Sequence, residues 1–343
     1  MASGFLKTRR VALVAGKAVD DEIDVSKLTK AGFAVERKHE LENVLEERRV
    51  IAGLSGFWGV VAGGERYSRT VLKALPDLTI VARMGLGFDR VDIAAATELG
   101  VLVSITPGTI EPAVAEWTVA HILAVRRRLF LADRAVRDGR WTLPEVLSPS
   151  LAGATVGLIG LGRIGREVVK RVAGFGCVLI GTDPAANADQ WRLSGVEIVP
   201  LSALLSRSDV VSLHLPLSDE TRGMIGAGEL AQMKPSAIIV NTSRGGLIDE
   251  DALAAALREG RIAGAGLDAF ATEPLRADSP LLRLENVVLT GHVAYATRFA
   301  ARAAAQGAVD AVVSLALGAL PSGALNPEVM GASRASGRAA NVD

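Results

Sequence analysis

The chain has 343 residues, more than one hydrophobic core normally organises, so two domains are expected. Its 38 Lys and Arg residues balance its 38 Asp and Glu residues, which leaves no net charge to attract nucleic acid or an acidic membrane surface. The apolar stretches are shorter than the roughly 18 to 20 residues that span a bilayer, and a single cysteine excludes an internal disulfide. These features predict a soluble, cytoplasmic protein with neither nucleic acid nor membrane as a partner.

The first part of the chain alternates apolar runs with amphipathic stretches. Residues 11–15, 58–62 and 78–82 are mainly apolar, and the sequences between them have helical spacing. Strands of a parallel sheet are covered by helices on both faces, so they need no alternation of apolar and polar residues. The pattern therefore predicts an α/β layer.

A second series of apolar runs starts at Ala154. It predicts six strands, at residues 154–159, 178–180, 210–213, 237–240, 263–266 and 287–290. A helix over 112–128 connects the two series, and an alanine-rich helix over 297–317 is expected to return to the first domain. The predicted fold class is α/β, with two parallel-sheet domains of Rossmann-like or flavodoxin-like type and a cleft between them.

A glycine-rich segment, Gly160–Gly165 (GLGRIG), stands between a predicted strand and a helical pattern, which is the context of a dinucleotide-binding turn. Gly160 permits a tight turn, Gly162 lets the backbone approach a pyrophosphate, and Gly165 lets the helix pack closely on the strand. Asp183 follows the next predicted strand, where a carboxylate binds the ribose 2′-hydroxyl and repels a 2′-phosphate. The segment predicts NAD rather than NADP as the cofactor.

Charged side chains follow three successive predicted strands, at the edge of the sheet where ligands bind. Arg244 follows the first of them, Asp268 and Glu273 follow the second, and His292 follows the third. An arginine at this edge can bind a carboxylate through two hydrogen bonds. A histidine can donate or accept a proton near neutral pH, and a neighbouring carboxylate, which we assign to Glu273, fixes its tautomer.

Each of these residues also has a structural interpretation. A lone arginine at a strand end more often forms a surface ion pair, and a lone histidine there is often structural; their convergence on one edge favours a site. His121, in the connecting helix, is expected to have a packed or interdomain role rather than a catalytic one. His214 is expected to shape a cofactor cleft rather than transfer protons. No histidine pair has the spacing of a zinc site, so no catalytic metal is predicted.

Several separate segments together resemble one protein family. They are residues 83–92, residues 114–116, the glycine-rich turn with Asp183, residues 214–216, the Arg244 loop, Glu273–Pro274 and His292. From about residue 10 to about residue 328, the chain resembles the NAD-dependent D-isomer-specific 2-hydroxyacid dehydrogenases. Within that family it is similar to the phosphoglycerate-dehydrogenase-like branch, in a short form without a regulatory domain.

The resemblance implies roles for individual residues. His292 is the acid and base, Glu273 tunes it, and Arg244 binds the substrate carboxylate together with the backbone N–H groups of Leu86 and Gly87. The cofactor residues that the motif and the resemblance imply are Gly160, Gly162, Arg163, Ile164, Gly165, Asp183, His214, Leu215, Pro216, Thr221, Thr242, Ser243, Asp268 and His292.

The resemblance also implies a domain organisation. Residues 1–105 plus 293–328 would form the substrate-binding domain, and residues 106–292 would form the NAD-binding domain. Residues 329–343 would be a flexible tail, because they are small and polar without apolar periodicity. A homodimer packed through the cofactor domain is expected, with an interface around residues 112–141.

The implied activity is hydride transfer between NAD and a small D-2-hydroxy acid or 2-oxo acid, of the phosphoglycerate, glycerate/hydroxypyruvate or glyoxylate type. The alternatives are an NAD-responsive binding protein of the corepressor type, or phosphite dehydrogenase chemistry within the same family. Formate oxidation is disfavoured because relatives that carry it out usually have glutamine in place of Glu273.

Two residues depart from the family pattern. Gly291 stands where many relatives have proline, and Tyr295 either narrows the substrate pocket or packs against the last helix.

Overall fold

The chain forms two compact units. The computed structural model describes residues 9–15, 23–141 and 147–331. One unit consists of Met1–Ile110 with Thr297–Asp343, and the other is Glu111–Ala296. The boundaries inferred from the sequence, after residues 105 and 292, lie five and four residues before these.

Strands and helices alternate along most of the described chain, as the apolar pattern predicts. The strands are β1 Arg10–Leu13, β2 Ala34–Arg37, β3 Gly59–Ala62, β4 Ile80–Arg83, β5 Leu102–Ser104, β6 Thr155–Ile159, β7 Val178–Thr182, β8 Val196–Ile198, β9 Val210–Leu213, β10 Ile238–Asn241, β11 Gly264–Leu267 and β12 Val287–Leu289. The α-helices are α1 Ser26–Lys30, α2 Glu47–Leu54, α3 Arg69–Ala74, α4 Ile93–Glu98, α5 Glu111–Arg126, α6 Leu129–Arg137, α7 Arg163–Val172, α8 Ala188–Leu193, α9 Leu201–Arg207, α10 Ala227–Leu230, α11 Glu250–Arg258 and α12 Arg298–Ala316.

The first unit contains a five-stranded parallel sheet in the order β2-β1-β3-β4-β5. Val11 and Leu13 of β1 pack on one face against α1 and α12. Ala12 of the same strand packs on the other face against α2 and α3. Both faces are therefore apolar, which explains why the strand sequences show no polar alternation.

The second unit contains a seven-stranded parallel sheet in the order β12-β11-β10-β9-β6-β7-β8. The six predicted strands are confirmed, and β8 is a seventh. It has three residues with the exposed Glu197 at its centre, so no apolar run marks it. The strand order reverses beside β6, and open α/β sheets bind ligands at such a reversal.

The carboxyl ends of β10, β11 and β12 lie next to one another. Asn241, Leu267 and Leu289, the last residues of these strands, are register partners across the sheet. The segments that follow them therefore leave the sheet at one edge. This is the edge at which the sequence predicts Arg244, Glu273 and His292.

The C-terminal segment begins in an ordered turn. Residues 329–331, which the sequence assigns to the tail, belong to the 3₁₀ segment Pro327–Gly331, and Val329 is buried. The rest of the tail, residues 332–343, lies outside the described residues. Among the helices that the structure describes, none is long and apolar enough to cross a membrane.

A carboxyl group is completely buried in the first unit. Glu65 follows β3 and has no exposed surface. The Tyr67 hydroxyl donates to its Oε2 at 3.3 Å, and the Asn43 N–H donates to its Oε1 at 3.3 Å. Burial raises the pKa of Glu65 from 4.5 to about 7, while the positive charge of Arg83 limits the rise.

Replacing Glu65 with glutamine is expected to change how stability depends on pH. A carboxyl group whose pKa rises from 4.5 to about 7 on folding contributes stability below 4.5 that is lost as the pH rises through 7. From about pH 5 to about pH 8, the free energy of unfolding of the unmodified protein should fall relative to that of Glu65→Gln, by roughly 3 kcal/mol. Denaturant unfolding at several pH values measures this difference.

Glu197→Gln is a suitable control. Glu197 is exposed, and its hydrogen bond from Arg207 keeps its pKa below the ordinary value, so the carboxyl does not titrate over this range. The difference in unfolding free energy for the control should be constant across the range. A constant difference for Glu65→Gln as well would contradict the raised pKa.

Candidate active site

His292 lies in a short turn directly after β12. Its backbone has a left-handed φ of 56°, which is uncommon for a residue other than glycine. The His292 N–H donates to the Asp268 carbonyl at 2.7 Å. A Cβ on Gly291 would meet nothing within 4 Å, so no close contact requires glycine there. The restraint that a proline would have given is supplied by contacts with Asp268.

Asp268, the first residue after β11, binds the turn that carries His292. Its carboxylate is fully buried, and Oδ1 accepts hydrogen bonds from the Thr290 hydroxyl at 2.5 Å and from the Val293 N–H at 3.0 Å. Oδ2 accepts from the Ala294 N–H at 2.8 Å. Both oxygens are thus directed at the backbone and hydroxyl groups on either side of His292.

The imidazole of His292 is paired with Glu273. Its Nδ1 lies 2.8 Å and 2.9 Å from the two carboxylate oxygens. The Phe270 N–H donates to Glu273 Oε1 at 3.1 Å, which orients the carboxylate. Because a carboxylate accepts hydrogen bonds, the paired nitrogen carries a proton. Within the described residues Nε2 makes no hydrogen bond, and 37% of the histidine side chain is exposed.

Arg244 lies in the turn after β10, and that turn packs against the turn after β11. The Asn241 side chain accepts a hydrogen bond from the Ser243 N–H at 3.0 Å and donates one to the Arg244 carbonyl at 2.8 Å. A Cβ on Gly245 would overlap the backbone of Phe270, so glycine allows the two turns to approach closely. The half-buried arginine is held at the edge from which Glu273 and His292 also emerge.

The glycine-rich turn has the shape that a dinucleotide needs. Gly160 has a φ of 96°, and a Cβ on it would lie 2.7 Å from the His214 carbonyl oxygen. A Cβ on Gly165 would overlap the Gly160 carbonyl, whereas one on Gly162 would meet nothing within 4 Å. The open space beside Gly162 therefore lies at the N-terminus of α7. The first turn of this helix carries no acidic residue that would repel an anion. This terminus suits a pyrophosphate.

Asp183 follows β7 and is fixed by backbone groups. Its Oδ2 accepts from the Leu161 N–H at 2.8 Å, which joins it to the glycine-rich turn, and its Oδ1 accepts from the Ala185 N–H at 2.8 Å. Arg163 is exposed and Ile164 is half-buried in the first turn of α7. The turn, the helix terminus and the carboxylate therefore fit the pyrophosphate and ribose of NAD.

The remaining predicted cofactor residues lie after β9 and β10 and are joined to one another. The Ser243 hydroxyl donates to the Leu215 carbonyl at 2.5 Å, and the Thr221 hydroxyl donates to the Pro216 carbonyl at 2.8 Å. The Thr242 hydroxyl lies 2.7 Å from that of Thr118 on α5. These bonds place the two segments at the same edge of the sheet as the glycine-rich turn.

His214 is buried beside this edge. Burial lowers its pKa from 6.5 to about 4, so it is neutral at physiological pH. Its Nε2 lies 2.9 Å from the Ser212 hydroxyl. The imidazole is therefore not a proton donor near neutral pH, and the role of His214 in shaping a cofactor cleft stays a prediction.

The segment predicted to bind the substrate carboxylate belongs to the first unit. Gly85 has a φ of 102°, and its N–H donates to the Thr106 hydroxyl at 2.7 Å. The Arg83 Nε donates to the Gly87 carbonyl at 3.1 Å, and Leu86 between them is half-buried. A buried arginine thus fixes the turn that presents the backbone of Leu86 and Gly87.

The sequence did not indicate two residues of α5 that contact the turn carrying His292, which is called the histidine turn below. Trp117 and His121 of α5 both direct a ring nitrogen at the Thr290 hydroxyl, which is bonded to Asp268. Their spacing of four places them on one side of a helix, but the sequence does not tell which residue they face.

Tyr295, whose role the sequence leaves open, has 43% of its surface exposed. The described residues include no group of three His, Cys, Asp or Glu side chains that could hold a metal ion.

The chain is similar to known dehydrogenases and reductases. A model of the family described as D-isomer specific 2-hydroxyacid dehydrogenase, NAD binding domain, matches residues 119–294. A glyoxylate reductase from Korarchaeum cryptofilum is 43% identical over 264 residues, which cover 76% of this chain and 80% of that protein. A D-3-phosphoglycerate dehydrogenase from Archaeoglobus fulgidus is 36% identical over 315 residues, which cover 92% of this chain and 59% of that protein.

A solved structure shows the same similarity over most of the chain. The TT0316 protein from Thermus thermophilus has a TM-score of 0.81 and 34% identity, over 92% of this chain and 99% of that one. Similarity over both units agrees with the two parallel sheets described above.

Replacing Asp183 with serine should shift cofactor preference toward NADPH, because a carboxylate at this position repels a 2′-phosphate. The ratio of kcat/KM with NADH to kcat/KM with NADPH should fall by at least about tenfold. Asp189→Ser, which alters an exposed carboxylate on α8, should leave the ratio unchanged. An unchanged ratio in Asp183→Ser would show that another group selects the cofactor.

Proposed function

The chain belongs to the D-isomer specific 2-hydroxyacid dehydrogenase family, and we propose that it reduces a small 2-oxo acid to the D-2-hydroxy acid, and reverses that reaction, through Arg244, Glu273 and His292. It is an NAD-dependent oxidoreductase that acts on CH–OH groups, as its family and relatives are. The single observation that carries the proposed mechanism is the His292–Glu273 pair, in which Nδ1 is held and Nε2 is left for another ligand.

Reduction of a 2-oxo acid requires a proton at the carbonyl oxygen. Bound NADH supplies the hydride, and negative charge then develops on that oxygen. His292 donates a proton from Nε2, while Glu273 keeps the ring in one orientation and stabilises the proton on Nδ1. In the reverse direction Nε2 accepts the hydroxyl proton of the 2-hydroxy acid.

Arg244 has the complementary role of binding the substrate. Its planar guanidinium matches a carboxylate and remains charged at any working pH. Because the Asn241 side chain holds its backbone, the guanidinium is presented from a fixed turn. For Leu86 and Gly87 of the first unit, substrate binding stays a prediction from the family resemblance.

The residues that would hold NAD follow from the fit of the glycine-rich turn. Arg163 and Ile164 with the turn glycines bind the pyrophosphate, and Asp183 binds the adenosine ribose. Residues His214–Pro216 with Thr221 line the cleft, and Thr242, Ser243 and Asp268 support its nicotinamide end. The buried Asp268 carboxylate supports this end through the backbone, since both of its oxygens are bonded to residues 290–294.

The substrate is proposed to be a small 2-oxo acid such as glyoxylate or hydroxypyruvate. Support comes from the Korarchaeum relative, which is named a glyoxylate reductase, and from the Archaeoglobus relative, which is named a D-3-phosphoglycerate dehydrogenase. Arg244 and His292 would recognise the carboxylate and the carbonyl that small 2-oxo acids share. Discrimination among them depends on a few side chains, each of which contributes only about 1 to 3 kcal/mol.

Loss of NADH absorbance with a panel of 2-oxo acids tests the proposal. We expect turnover with at least one small 2-oxo acid, and a fall in kcat of at least about a hundredfold in His292→Ala. Arg244→Ala should raise KM for the 2-oxo acid and lower kcat, because it removes the carboxylate partner. His39→Ala, in the first unit, is the matched control and should retain activity.

Two outcomes would overturn the proposal. Intact NADH binding without turnover of any 2-oxo acid would favour an NAD-responsive binding protein. Reduction of NAD with phosphite alone would assign phosphite chemistry to the same residues.

We also propose that two copies of the chain associate through the cofactor-binding unit. Leu129, Phe130 and Val136 of α6 are each more than half exposed, and Trp141 is 86% exposed. Apolar side chains clustered along one exposed segment are typical of a surface covered by a partner. A second copy is the occupant that a closed, symmetric assembly requires.

Phe130→Glu should convert such a dimer into a monomer, because it places a charge within an apolar interface. Analytical ultracentrifugation measures the mass in solution. Leu193→Glu, at an 88% exposed residue of α8, is the control and should not change the mass. A monomeric unmodified protein would contradict the proposal.

A further inference from the structure

Two side chains of α5 meet the hydroxyl group of Thr290, the residue two before His292. The Trp117 Nε1 lies 3.3 Å from the Thr290 Oγ1, and the His121 Nε2 lies 3.0 Å from the same oxygen. Trp117 and His121 are one helical turn apart, with ring centres 5.9 Å from each other. They form the layer directly behind the histidine turn.

The hydrogen-bond directions in this layer can be assigned. The Thr290 hydroxyl has one proton, and it donates that proton to the Asp268 carboxylate. The oxygen therefore accepts from both rings, so His121 carries its proton on Nε2. Its Nδ1 is buried without a hydrogen-bond partner among the described residues. Burial lowers the pKa of His121, and the charge of Asp268 opposes this only in part, so the ring is a neutral donor.

Gly266 of β11 leaves the space that the His121 ring occupies. A Cβ on Gly266 of β11 would lie 2.9 Å from the His121 Nδ1 and 3.1 Å from its Cβ. Glycine at position 266 therefore makes the space that the imidazole occupies against the strand. Only 2% of His121 is exposed, so the ring packs in one defined position between α5 and β11.

We propose that His121 is a positioning residue for the reaction, acting on His292 through Thr290 and Asp268. Its Nε2–H orients the Thr290 hydroxyl toward Asp268. The Asp268 carboxylate in turn accepts hydrogen bonds from the N–H groups of Val293 and Ala294. These two residues follow His292 in the chain, whereas Thr290 precedes it. This inference rests on the proposed acid–base role of His292.

The left-handed backbone of His292 makes this support necessary. A non-glycine residue adopts such a φ only when its surroundings hold it there. The Asp268 carbonyl and carboxylate supply that restraint, and His121 fixes the hydroxyl that completes it. Without the His121 donor, Thr290 can turn its proton away from Asp268, and the turn gains freedom.

Steady-state kinetics of two substitutions at position 121 tests the inference. His121→Leu removes the donor at similar volume, and we expect kcat to fall by about five- to tenfold with KM for NADH unchanged. His121→Gln keeps an N–H group near the original Nε2 and should restore kcat to within about twofold. A kcat that falls equally in both variants, with unchanged thermal stability, would overturn the inference.

A double substitution separates positioning from a general loss of stability. In Thr290→Val the hydroxyl that accepts the hydrogen bond from His121 is already absent. Adding His121→Leu to this variant should therefore lower kcat no further. Independent, multiplicative losses would contradict the path through Thr290. If His121→Leu does not fold, the comparison of Thr290→Ser with Thr290→Val tests the same hydroxyl, and equal kcat values would overturn the inference.

Hydrogen exchange gives a readout that does not depend on turnover. In His121→Leu the Val293 and Ala294 amides should exchange faster than in the unmodified protein. In His121→Gln the same two amides should exchange at the rate of the unmodified protein. This result would support the positioning role even if no 2-oxo acid were a substrate, in which case only the proposed function fails. Unchanged exchange of both amides in His121→Leu would overturn the positioning role itself.

Discussion

The buried carboxylate of Asp268 is the group on which the candidate active site depends. It stands at the end of β11, and its backbone joins β10 through Asn241 and the turn after β12 through His292. Its two oxygens accept hydrogen bonds from three groups of that turn. A carboxylate with no exposure to water is stable only when its oxygens are satisfied in this way. The same bonds that stabilise Asp268 thus fix the position of His292.

The rest of the site follows from the geometry of a parallel sheet. Neighbouring strands end in register, so their following turns meet at one edge. Gly245 lets the arginine turn approach the turn after β11, and Gly266 lets α5 bring His121 against the sheet. Glu273 then orients the imidazole through its Nδ1. Arg244, Glu273 and His292 are consequently held by backbone elements, which limits their movement.

Much of this arrangement could be predicted from the sequence. The strand ends that carry Arg244, Glu273 and His292 are marked by continuous apolar runs, and the glycine-rich turn is marked by its spacing. β8 was missed because three residues around an exposed Glu197 give no apolar period. The sequence predicts one helix over 112–128, whereas the structure has α5 ending at Arg126 and a separate α6, divided at Arg128, whose φ is left-handed.

The layer behind the histidine turn could not be predicted for a different reason. Trp117 and His121 have a sequence pattern that also fits ordinary packing, and nothing in it indicates that both rings contact the Thr290 hydroxyl. Likewise, the family resemblance implies only that Asp268 is a cofactor residue, whereas its bonds to Val293 and Ala294 arise from the register of β11 and β12. Such relations between distant residues require the tertiary structure.

The most direct test of this arrangement is the protonation of individual imidazole nitrogens. With only four histidines in the chain, nitrogen NMR of the labelled protein at alkaline pH can resolve each neutral ring, and His→Gln variants assign them. We expect the proton of His292 on Nδ1, facing Glu273, and the proton of His121 on Nε2, facing Thr290. A neutral His292 protonated on Nε2 would contradict the pairing with Glu273 and, with it, the presentation of Nε2 to the substrate.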